Sequence, residues 1–338
     1  MSHLNLKTCR KFSLAAVFML FFQFTQAQDF EEVGNWLEKQ SKMYGGAAST
    51  IIYHNNKIVY QKNIGEFNEK TPVPLGQLTQ LPTAIMISKL VEEGVLDWDE
   101  SLGDKIPFLT KYFKGYITPF HGLAHLTGVE KNYGDAGKIA ERKKAINLDE
   151  AINALATLEM SNNTGKEYYF GTIGPYFPAR AAEVATKKTY DRLMQEKVAR
   201  PLKMRFTKFD HELGYAPNPS TGGRGASIDY IQLLAMLLNN GKAEDKTILG
   251  EESLKKLLTP SAPSVTKKYQ PAYAKNWAYC LGIFEIEPGV YALGSETGSW
   301  VFIDQNKKLA AVLLIEKQQK TALPELFNQW MNKIYGQL

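Results

Sequence analysis

The sequence predicts an α+β fold in which one antiparallel sheet is built from both ends of the chain and a mainly helical region is inserted between them. Runs rich in β-branched and aromatic residues occur near both ends, whereas the middle of the chain has helical periodicity. Strands at both ends of the chain with helices between them are typical of one sheet to which both ends contribute. Within one unit spanning residues 28–338, we expect residues 28–76 and 246–338 to form the sheet part and residues 77–245 the helical part.

The first elements are predicted to be a helix and a hairpin. Residues 30–43 carry apolar side chains at helical spacing, and the pattern stops at Gly45, which is typical of a glycine-capped helix. Residues 49–61 form two β-rich runs joined by Asn55-Asn56, a dipeptide that favours the tight turn of a hairpin.

The later elements follow from the same two periodicities. Residues 84–91 are apolar nearly all round, which indicates a buried helix. Amphipathic helices are predicted at 189–198, 227–238 and 324–335, and strands at 279–286, 300–303 and 309–315. The terminal helices would flank the sheet, so an active site is expected at the seam between the sheet and the helical region.

The first 27 residues have the pattern of a cleaved signal peptide. Lys7, Arg10 and Lys11 precede an apolar run at 12–22 that is too short to span a bilayer, and small residues lead to a cleavage site after Ala27. A retained membrane anchor is the alternative interpretation. We expect the mature chain to be secreted or periplasmic.

Composition narrows the classes of partner. The 338 residues are 44 % hydrophobic, which is enough for a large core. The formal net charge of +5 falls to +2 when the three basic residues of the signal peptide are removed, and this gives no argument for nucleic acid. Cys9 leaves with the signal peptide, so Cys280 alone remains, in an apolar run that favours core packing, and no disulfide framework is expected. No cofactor and no membrane span after the signal peptide are predicted, and the oligomeric state stays open.

The most informative segment is 77–100. It reads Gln77-Leu-Thr-Gln80-Leu-Pro-Thr-Ala and continues into Leu-Val-Glu-Glu-Gly-Val-Leu-Asp-Trp-Asp. It resembles the nucleophile helix of the class C β-lactamase and penicillin-binding-protein family, which reads S-x-x-K-x-x-T-A with an L-V-E-E-G-x-L-x-L-D tail. Further blocks in the family's order lie at 117–129, 201–204, 222–230 and 303–314. The resemblance covers essentially the whole mature chain and implies a β-lactamase/transpeptidase-like fold.

The two catalytic residues of the family's S-x-x-K pattern are replaced in this chain. The resemblance implies a serine nucleophile at position 77 and a lysine base at position 80, where this chain carries Gln77 and Gln80. An amide is not a nucleophile and has no pKa in the useful range. Residues three apart share a helix face, and buried amides need partners. We therefore expect both side chains at the interdomain cleft, with at least one bonded to segment 170–172 or segment 293–297.

The other two catalytic elements of the family are changed as well. The Tyr-x-Asn element aligns with Phe170 and Thr172. A shift of register would use Tyr168 or Tyr169 without supplying an Asn, and aromatic core is the simpler interpretation of this cluster. The Lys-Thr-Gly element aligns with Leu293-Gly294-Ser295 or, with a different loop length, with Glu296-Thr297-Gly298. Neither alignment offers a cation, and a glutamate would repel a substrate carboxylate.

Two further patterns are weaker. Ser253 and Ser264 each begin an S-x-x-K sequence, the first on an amphipathic surface helix and the second in a Pro-flanked loop, and so loose a pattern arises by chance. His121 and His125 are spaced i, i+4 as zinc ligands can be. The family carries structural histidines at both positions and no third ligand is evident, so no metal site is predicted.

Together these changes predict an exported, β-lactamase-related pseudoenzyme that binds a peptide or cell-wall-type fragment in the former active-site cleft. The candidate ligand-binding residues are Gln77, Gln80, Tyr169, Thr172, Ser295, Glu296 and Thr297. Two alternatives stay open. One is an active serine hydrolase of esterase, D-peptidase or β-lactamase type with a displaced nucleophile, and the other is a partner-binding structural module with an inert cleft.

Overall fold

The computed structural model describes residues 30–129, 135–315 and 323–338, so the predicted signal peptide lies outside the described residues. Strands in the described residues are β1 (Ala48–His54), β2 (Lys57–Ile64), β3 (Val73–Pro74), β4 (Glu167–Tyr169), β5 (Arg224–Gly225), β6 (Lys242–Ala243), β7 (Lys246–Thr247), β8 (Thr266–Tyr269), β9 (Ala278–Tyr279), β10 (Phe284–Glu287), β11 (Val290–Gly294), β12 (Trp300–Asp304) and β13 (Leu309–Ile315).

Helices in the same residues are α1 (Glu31–Lys39), α2 (Gln80–Glu92), α3 (Leu102–Lys105), α4 (Pro119–Leu123), α5 (Ala136–Arg142), α6 (Leu148–Ala156), α7 (Tyr176–Thr186), α8 (Tyr190–Met194), α9 (Ser227–Leu238), α10 (Glu251–Leu258) and α11 (Leu323–Tyr335). None of the helices in the described ranges is long and apolar enough to cross a membrane.

Both ends of the chain build the main sheet, as predicted. Its seven strands are ordered β2-β1-β13-β12-β11-β10-β9, and every neighbouring pair is antiparallel. The β1–β2 hairpin turns at Asn55 and Asn56, whose φ angles of 49° and 66° are the left-handed values that a type I′ turn requires. On its other side β1 pairs with β13 from Ala48↔Ile315 to His54↔Leu309. The predicted α+β class is confirmed.

The sheet is buried on both faces because helices cover each side. Strand β13 is buried along its whole length, and successive side chains point to opposite faces. Ala310, Val312 and Leu314 pack in the core shared with the helical region, whereas Leu313 and Ile315 pack in a second core beneath α1 and α11. Complete burial of one such large side chain stabilises the fold by about 1.5–3 kcal/mol.

Helix α2 is the centre of the helical region. Each residue from 80 to 88 is buried, in agreement with the predicted apolar run. The hydroxyl of Thr83 lies 2.6 Å from that of Tyr190 and donates to the carbonyl oxygen of Pro219 at 2.8 Å. These contacts tie α2 to α8 and to the loop before β5, and so fix the position of its first turn.

Three local predictions needed correction. The helix predicted at 30–43 ends at Lys39 and continues as a 3₁₀ turn (Ser41–Tyr44), which Gly45 caps with a φ of 82°. The helix predicted at 189–198 is α8 followed by a π-helical turn (Gln195–Ala199). Gln77, predicted on the same helix as Gln80, lies in a 3₁₀ turn (Gly76–Thr79) that leads into α2.

The strand predicted at 279–286 is also interrupted. It forms β9 and β10, joined by a turn in which Gly282 has a φ of 87°. A Cβ at this glycine would lie 2.8 Å from the Cα of Leu81, so the turn approaches the first turn of α2 too closely for a larger residue. Cys280 is buried in this turn, as the prediction of core packing requires. The turn brings Tyr279 next to the start of α2.

Candidate functional site

A cleft of about 980 Å³ lies at the seam between the sheet and the helical region. Its floor includes the 3₁₀ turn before α2 and the loop 294–296 after β11, and its walls come from loop 169–173 and from segment 210–224. The segments that the sequence aligned with the three catalytic elements therefore meet at one place. The residues that line the cleft include Gln77, Asp135, Lys138, Tyr169, Phe170, Thr172, Thr221, Tyr269, Tyr273, Ser295, Glu296 and Trp300.

Gln77 lies half-buried at the base of the cleft. Its side-chain oxygen accepts a hydrogen bond of 2.8 Å from the backbone N–H of Glu296. The two segments pack so closely that a Cβ at Gly76, whose φ is 54°, would lie 2.4 Å from Oγ of Ser295. A glycine is required here for both reasons. The predicted contact between Gln77 and segment 293–297 is present.

Gln80 is only 1 % exposed, and both the nitrogen and the oxygen of its amide are hydrogen-bonded. Its Nε2 donates to the carbonyl oxygen of Gly171 at 3.0 Å. Its Oε1 lies 3.1 Å from Nε2 of His125 and accepts from the hydroxyl of Tyr279 at 3.2 Å. Because a carbonyl oxygen only accepts, Gly171 fixes the orientation of the amide, and Nε2 of His125 carries the proton that it donates. The predicted contact with segment 170–172 is also present.

The surroundings of Gln80 are aromatic and neutral. The ring of His125 lies 4.8 Å from that of Phe170 and 4.9 Å from that of Tyr279, centroid to centroid. Burial lowers the pKa of His125 to about 3, so its imidazole is uncharged at neutral pH. Burial likewise raises the pKa of Tyr279 far above its usual value. The position where the resemblance implies a lysine is therefore a buried, uncharged hydrogen-bond network.

The second element supplies no tyrosine hydroxyl at this point. Phe170 is 4 % exposed and packs against Tyr279 and Phe284, as the aromatic-core interpretation predicted. The hydroxyl of Thr172 accepts a 2.8 Å hydrogen bond from the N–H of Ala136. Tyr169 lines the cleft and packs against Tyr269 with 5.0 Å between ring centroids.

The third element supplies a carboxylate in place of a cation. Leu293 is fully buried in β11, and Ser295 is 2 % exposed, with its hydroxyl 2.6 Å from that of Thr297. Part of the Glu296 side chain is exposed to the cleft, but the cleft walls surround its carboxyl group. Its surroundings raise the pKa of its carboxyl, first through burial and then through the nearby Asp135. The nearby backbone N–H groups of Glu296 and Gln77, together with the charge of Lys138, act in the opposite direction and lower this pKa.

The cleft contains five of the seven candidate ligand-binding residues. Gln77, Tyr169, Thr172, Ser295 and Glu296 line it. Gln80 and Thr297 do not, which corrects the expectation that they border the cavity. Gln80 is buried next to the cleft and makes three hydrogen bonds there. The hydroxyl of Thr297 is bonded to the hydroxyls of Ser295 and Ser299.

Sequence reasoning missed several residues of the site. Tyr279 bonds Gln80 from the sheet side, but its sequence context predicted only an uninterrupted strand. The far wall, which includes Asp135, Lys138 and segment 210–213, carries no motif that could have identified it. Only the tertiary fold brings these residues to the cleft.

The weaker patterns lie elsewhere. Ser253 is on α10 and Ser264 is in an exposed loop, and neither lines the cleft. Nδ1 of His121 lies 3.0 Å from the hydroxyl of Thr118, whereas His125 bonds Gln80. Among the residues that the structure describes, no three His, Cys, Asp or Glu side chains form a group that could hold a metal ion.

The sheet, the buried helix α2 and the cleft at their seam define a β-lactamase/transpeptidase-like fold. The chain belongs to the β-lactamase family, whose model, described as Beta-lactamase, matches residues 37–328.

Solved structures of three relatives share the fold. A candidate β-lactamase from Bacteroides dorei DSM 17855 is 21 % identical, with a TM-score of 0.81 over 91 % of this chain and 99 % of that one. The hydrolase EstCE1, described as having promiscuous acyltransferase activity, is 14 % identical, with a TM-score of 0.76 over 92 % and 99 %. A penicillin-binding-protein homologue from Caulobacter crescentus is 14 % identical, with a TM-score of 0.73 over 92 % and 98 %.

A curated relative matches a smaller part of the chain. Protein flp of Staphylococcus aureus (strain MW2) is 21 % identical over 173 residues, which is 48 % of this chain. The match spans about a third (34 %) of the length of that relative.

Proposed function

We propose that this protein is a non-catalytic member of the β-lactamase family that binds a peptide or a cell-wall-type fragment in the cleft. The observation that carries the proposal is the position of Gln77. Its amide oxygen accepts a hydrogen bond from the backbone N–H of Glu296, at the position where the resemblance implies a nucleophile. An amide cannot attack a carbonyl carbon, and here it also fills the space that a reacting carbonyl would need.

The environment of Gln80 supports the same proposal. A general base needs a pKa near the working pH and a free lone pair close to the nucleophile. The Gln80 amide has no such pKa, and all its bonds are made within the network of Gly171, His125 and Tyr279. Neither His125 nor Tyr279 titrates near neutral pH. This network has no group that could take the place of the missing lysine.

The alternative of an active hydrolase would need another hydroxyl in the cleft. The hydroxyl of Ser295 is bonded to Thr297, and that of Thr221 donates to the carboxylate of Asp135 at 3.0 Å. The second pair is the stronger alternative, since a carboxylate can accept a proton from a hydroxyl. It lies beside Asn218, whose amide also donates to Oγ1 of Thr221 at 2.7 Å.

Covalent labelling tests the non-catalytic proposal. We expect the mature protein to form no adduct with a fluorescent penicillin or with a fluorophosphonate, as measured by intact mass. Loss of the nucleophile from a catalytic unit typically lowers kcat by about a million-fold. A stoichiometric adduct would overturn the proposal, and peptide mapping would then distinguish Ser295 and Thr221 from Ser253 and Ser264. If an adduct forms, the variant Thr221→Val, which removes a single hydroxyl, tests whether Thr221 carries it.

Ligand binding in the cleft is tested separately. We expect peptidoglycan-derived peptides to shift amide NMR signals of the cleft segments 169–173 and 294–296. The alternative, a partner-binding module with an inert cleft, predicts that shifts occur only on outer surfaces. Such a result would overturn the binding part of the proposal and leave the non-catalytic part standing.

We propose further that the protein is exported after cleavage at Ala27. The basic residues and the short apolar run at 12–22 support this. N-terminal sequencing of the protein from cell fractions tests it, and an intact leader on cytoplasmic protein would contradict it.

A further inference from the structure

The base of the cleft holds two backbone N–H groups, and side chains of this chain already occupy both. The N–H of Glu296 donates to the amide oxygen of Gln77 at 2.8 Å. The carboxylate of Glu296 lies against the 3₁₀ turn, since its Oε2 would be 3.0 Å from a Cβ at Gly76, and the N–H of Gln77 lowers its pKa. The side chain of each residue thus faces the backbone of the other. A ligand carbonyl or carboxylate finds no free donor at this point, and it would also meet the charge of Glu296.

The charged groups of the cleft leave an excess of carboxylates. Arg224 is paired with Glu212 at 2.9 Å, and His211 lies 3.2 Å from Glu141. The remaining charged groups of the lining are Asp135, Asp210, Glu296 and Lys138. In the described part of the chain, no ion pair within 4.0 Å joins Glu296 to a cation. A mobile cation is therefore the natural counter-charge for this carboxylate.

An aromatic wall stands next to the same carboxylate. Tyr169 and Tyr269 form one ring pair, and Tyr273 packs on the buried Trp300 behind it with 4.8 Å between centroids. Tyr273 also donates to the carbonyl oxygen of Gly294 at 3.0 Å, two residues before Glu296. After burial, the charge of Glu296 is the largest cause that raises the pKa of the Tyr273 hydroxyl. The rings and the carboxylate therefore share one part of the cavity.

We infer that this part of the cleft binds an ammonium group, with Glu296 as its counter-charge and the aromatic wall against the carbon atoms that carry it. The inference deepens the proposed function and rests on it, because it names the chemical class of the ligand. Aromatic faces attract cations, and a carboxylate beside them supplies a directional acceptor. The ligand is a peptide or fragment that presents a primary amine to the cleft. Terminal carboxylates are excluded from this position.

Three matched small probes test the inference. 2-Phenylethylamine, 2-phenylethanol and 3-phenylpropionate share a ring and a short chain, and at pH 7 they carry positive, zero and negative charge. Titration of the mature protein by calorimetry or NMR is expected to give an affinity for the amine about tenfold above that for the alcohol, a difference of about 1.4 kcal/mol. The anion is expected to bind more weakly than the alcohol.

Variants assign the charge preference to its residue. Glu296→Gln keeps a side-chain oxygen near the N–H of Gln77 and removes the charge. The affinity for the amine should therefore fall to that for the alcohol, and the affinity for the alcohol should stay unchanged. Tyr269→Ala should weaken both. Glu252→Gln, on the exposed face of α10, is the control and should change neither.

Two results would overturn the inference. One is a failure of the amine to bind better than the other probes, and the other is an unchanged amine affinity in Glu296→Gln. Both outcomes would leave a non-catalytic cleft standing. Covalent labelling by penicillin or fluorophosphonate would instead overturn the proposed function, whatever the charge preference of the cleft.

Discussion

Gln77 and Gln80 are three residues apart and carry the same side chain, yet the fold treats them differently. Gln80 is 1 % exposed and bonds three residues from three separate segments. Gln77 is half-buried, lines the cleft and bonds the loop after β11. One position has become part of the core, whereas the other still faces a cavity that a ligand can enter.

The difference shows that a changed catalytic position can have two outcomes. A buried amide is stable only when each of its polar atoms is paired, and each atom left unpaired costs about 1–3 kcal/mol. Gln80 meets this condition, so its neighbours now depend on an amide at position 80. The Gln77 side chain makes fewer hydrogen bonds to its neighbours, so its replacement should be tolerated.

The largest expected contrast is between Gln80→Lys and Gln77→Ser. Lysine at position 80 would bury a cation among neutral groups, at a cost of about 3–5 kcal/mol in the free energy of unfolding. Serine at position 77 should cost less than about 1 kcal/mol, because the site is open to solvent. Urea unfolding measures both. Equal small effects would show that position 80 still has room for a charged base.

The double variant Gln77→Ser/Gln80→Lys extends this comparison to activity. We expect it to hydrolyse neither nitrocefin nor a p-nitrophenyl ester, because Phe170 and Glu296 still replace the hydroxyl and the cation of the other two elements. Catalytic residues that act as a unit are strongly non-additive. Turnover that is absent from the parent protein would show that those elements are functionally intact.

The third prediction concerns the acid stability of the fold, which depends on His125. Its pKa is about 3 in the folded protein and about 6.5 when unfolded. Between these values the unfolded chain binds more protons, so acidification favours unfolding. Because the unfolded chain binds this proton, the free energy of unfolding should be lower by about 3 kcal/mol at pH 4 than at pH 7 on account of His125. His125→Phe removes the titrating group, so the gap between parent and variant should narrow by that amount from pH 7 to pH 4. A constant gap would mean that the imidazole is charged when folded.

A smaller effect is expected for Tyr279→Phe. The change removes the donor to Gln80 and the acceptor for the N–H of Gly282, which lies 3.0 Å from the hydroxyl. The expected loss is about 1–2 kcal/mol in the free energy of unfolding. Tyr291→Phe, on β11 outside this network, is a matched control. Similar losses at the two positions would show that the network around Gln80 adds no particular stability.

The smallest prediction has the opposite sign and concerns the cleft. The pKa of Glu296 is raised in the folded protein, so its ionised form costs stability at pH values above that pKa. Glu296→Gln should therefore raise the urea midpoint at pH 7 and leave it unchanged at about pH 3 and below, where the carboxyl is neutral in both states. A lowered midpoint at pH 7 would mean that the carboxylate stabilises the fold, as a structural ion would.

Sequence patterns predicted the strongly periodic elements well. The helix 227–238 and the strand 309–315 match α9 and β13 residue for residue. The interrupted strand at 279–286 was not predictable, because the turn at Gly282 packs against Leu81, 201 positions earlier in the chain. Periodicity describes one segment at a time and carries no information about such approaches.

The candidate site likewise has contacts that the sequence predicted and contacts that it did not. The contacts of Gln77 with the loop after β11 and of Gln80 with loop 170–172 followed from the alignment of three short blocks. The burial of Gln80 did not, because the family block at 117–129 does not show that His125 bonds this amide, and Tyr279 comes from a segment with no recognisable motif. The aromatic wall and the excess of carboxylates were equally hidden, because their members come from segments that are scattered between residues 135 and 300 of the chain.

The pairing of Ala48 with Ile315 has a consequence for the order in which the protein is assembled. A ribosome completes β1 and β2 early, but the neighbour on the other side of β1 is among the last strands to be made. Contacts between such distant residues form slowly, and an unpaired strand edge invites other chains. A nascent or truncated chain without β13 therefore exposes β1 to aggregation, and only synthesis through residue 315 gives that edge its permanent partner.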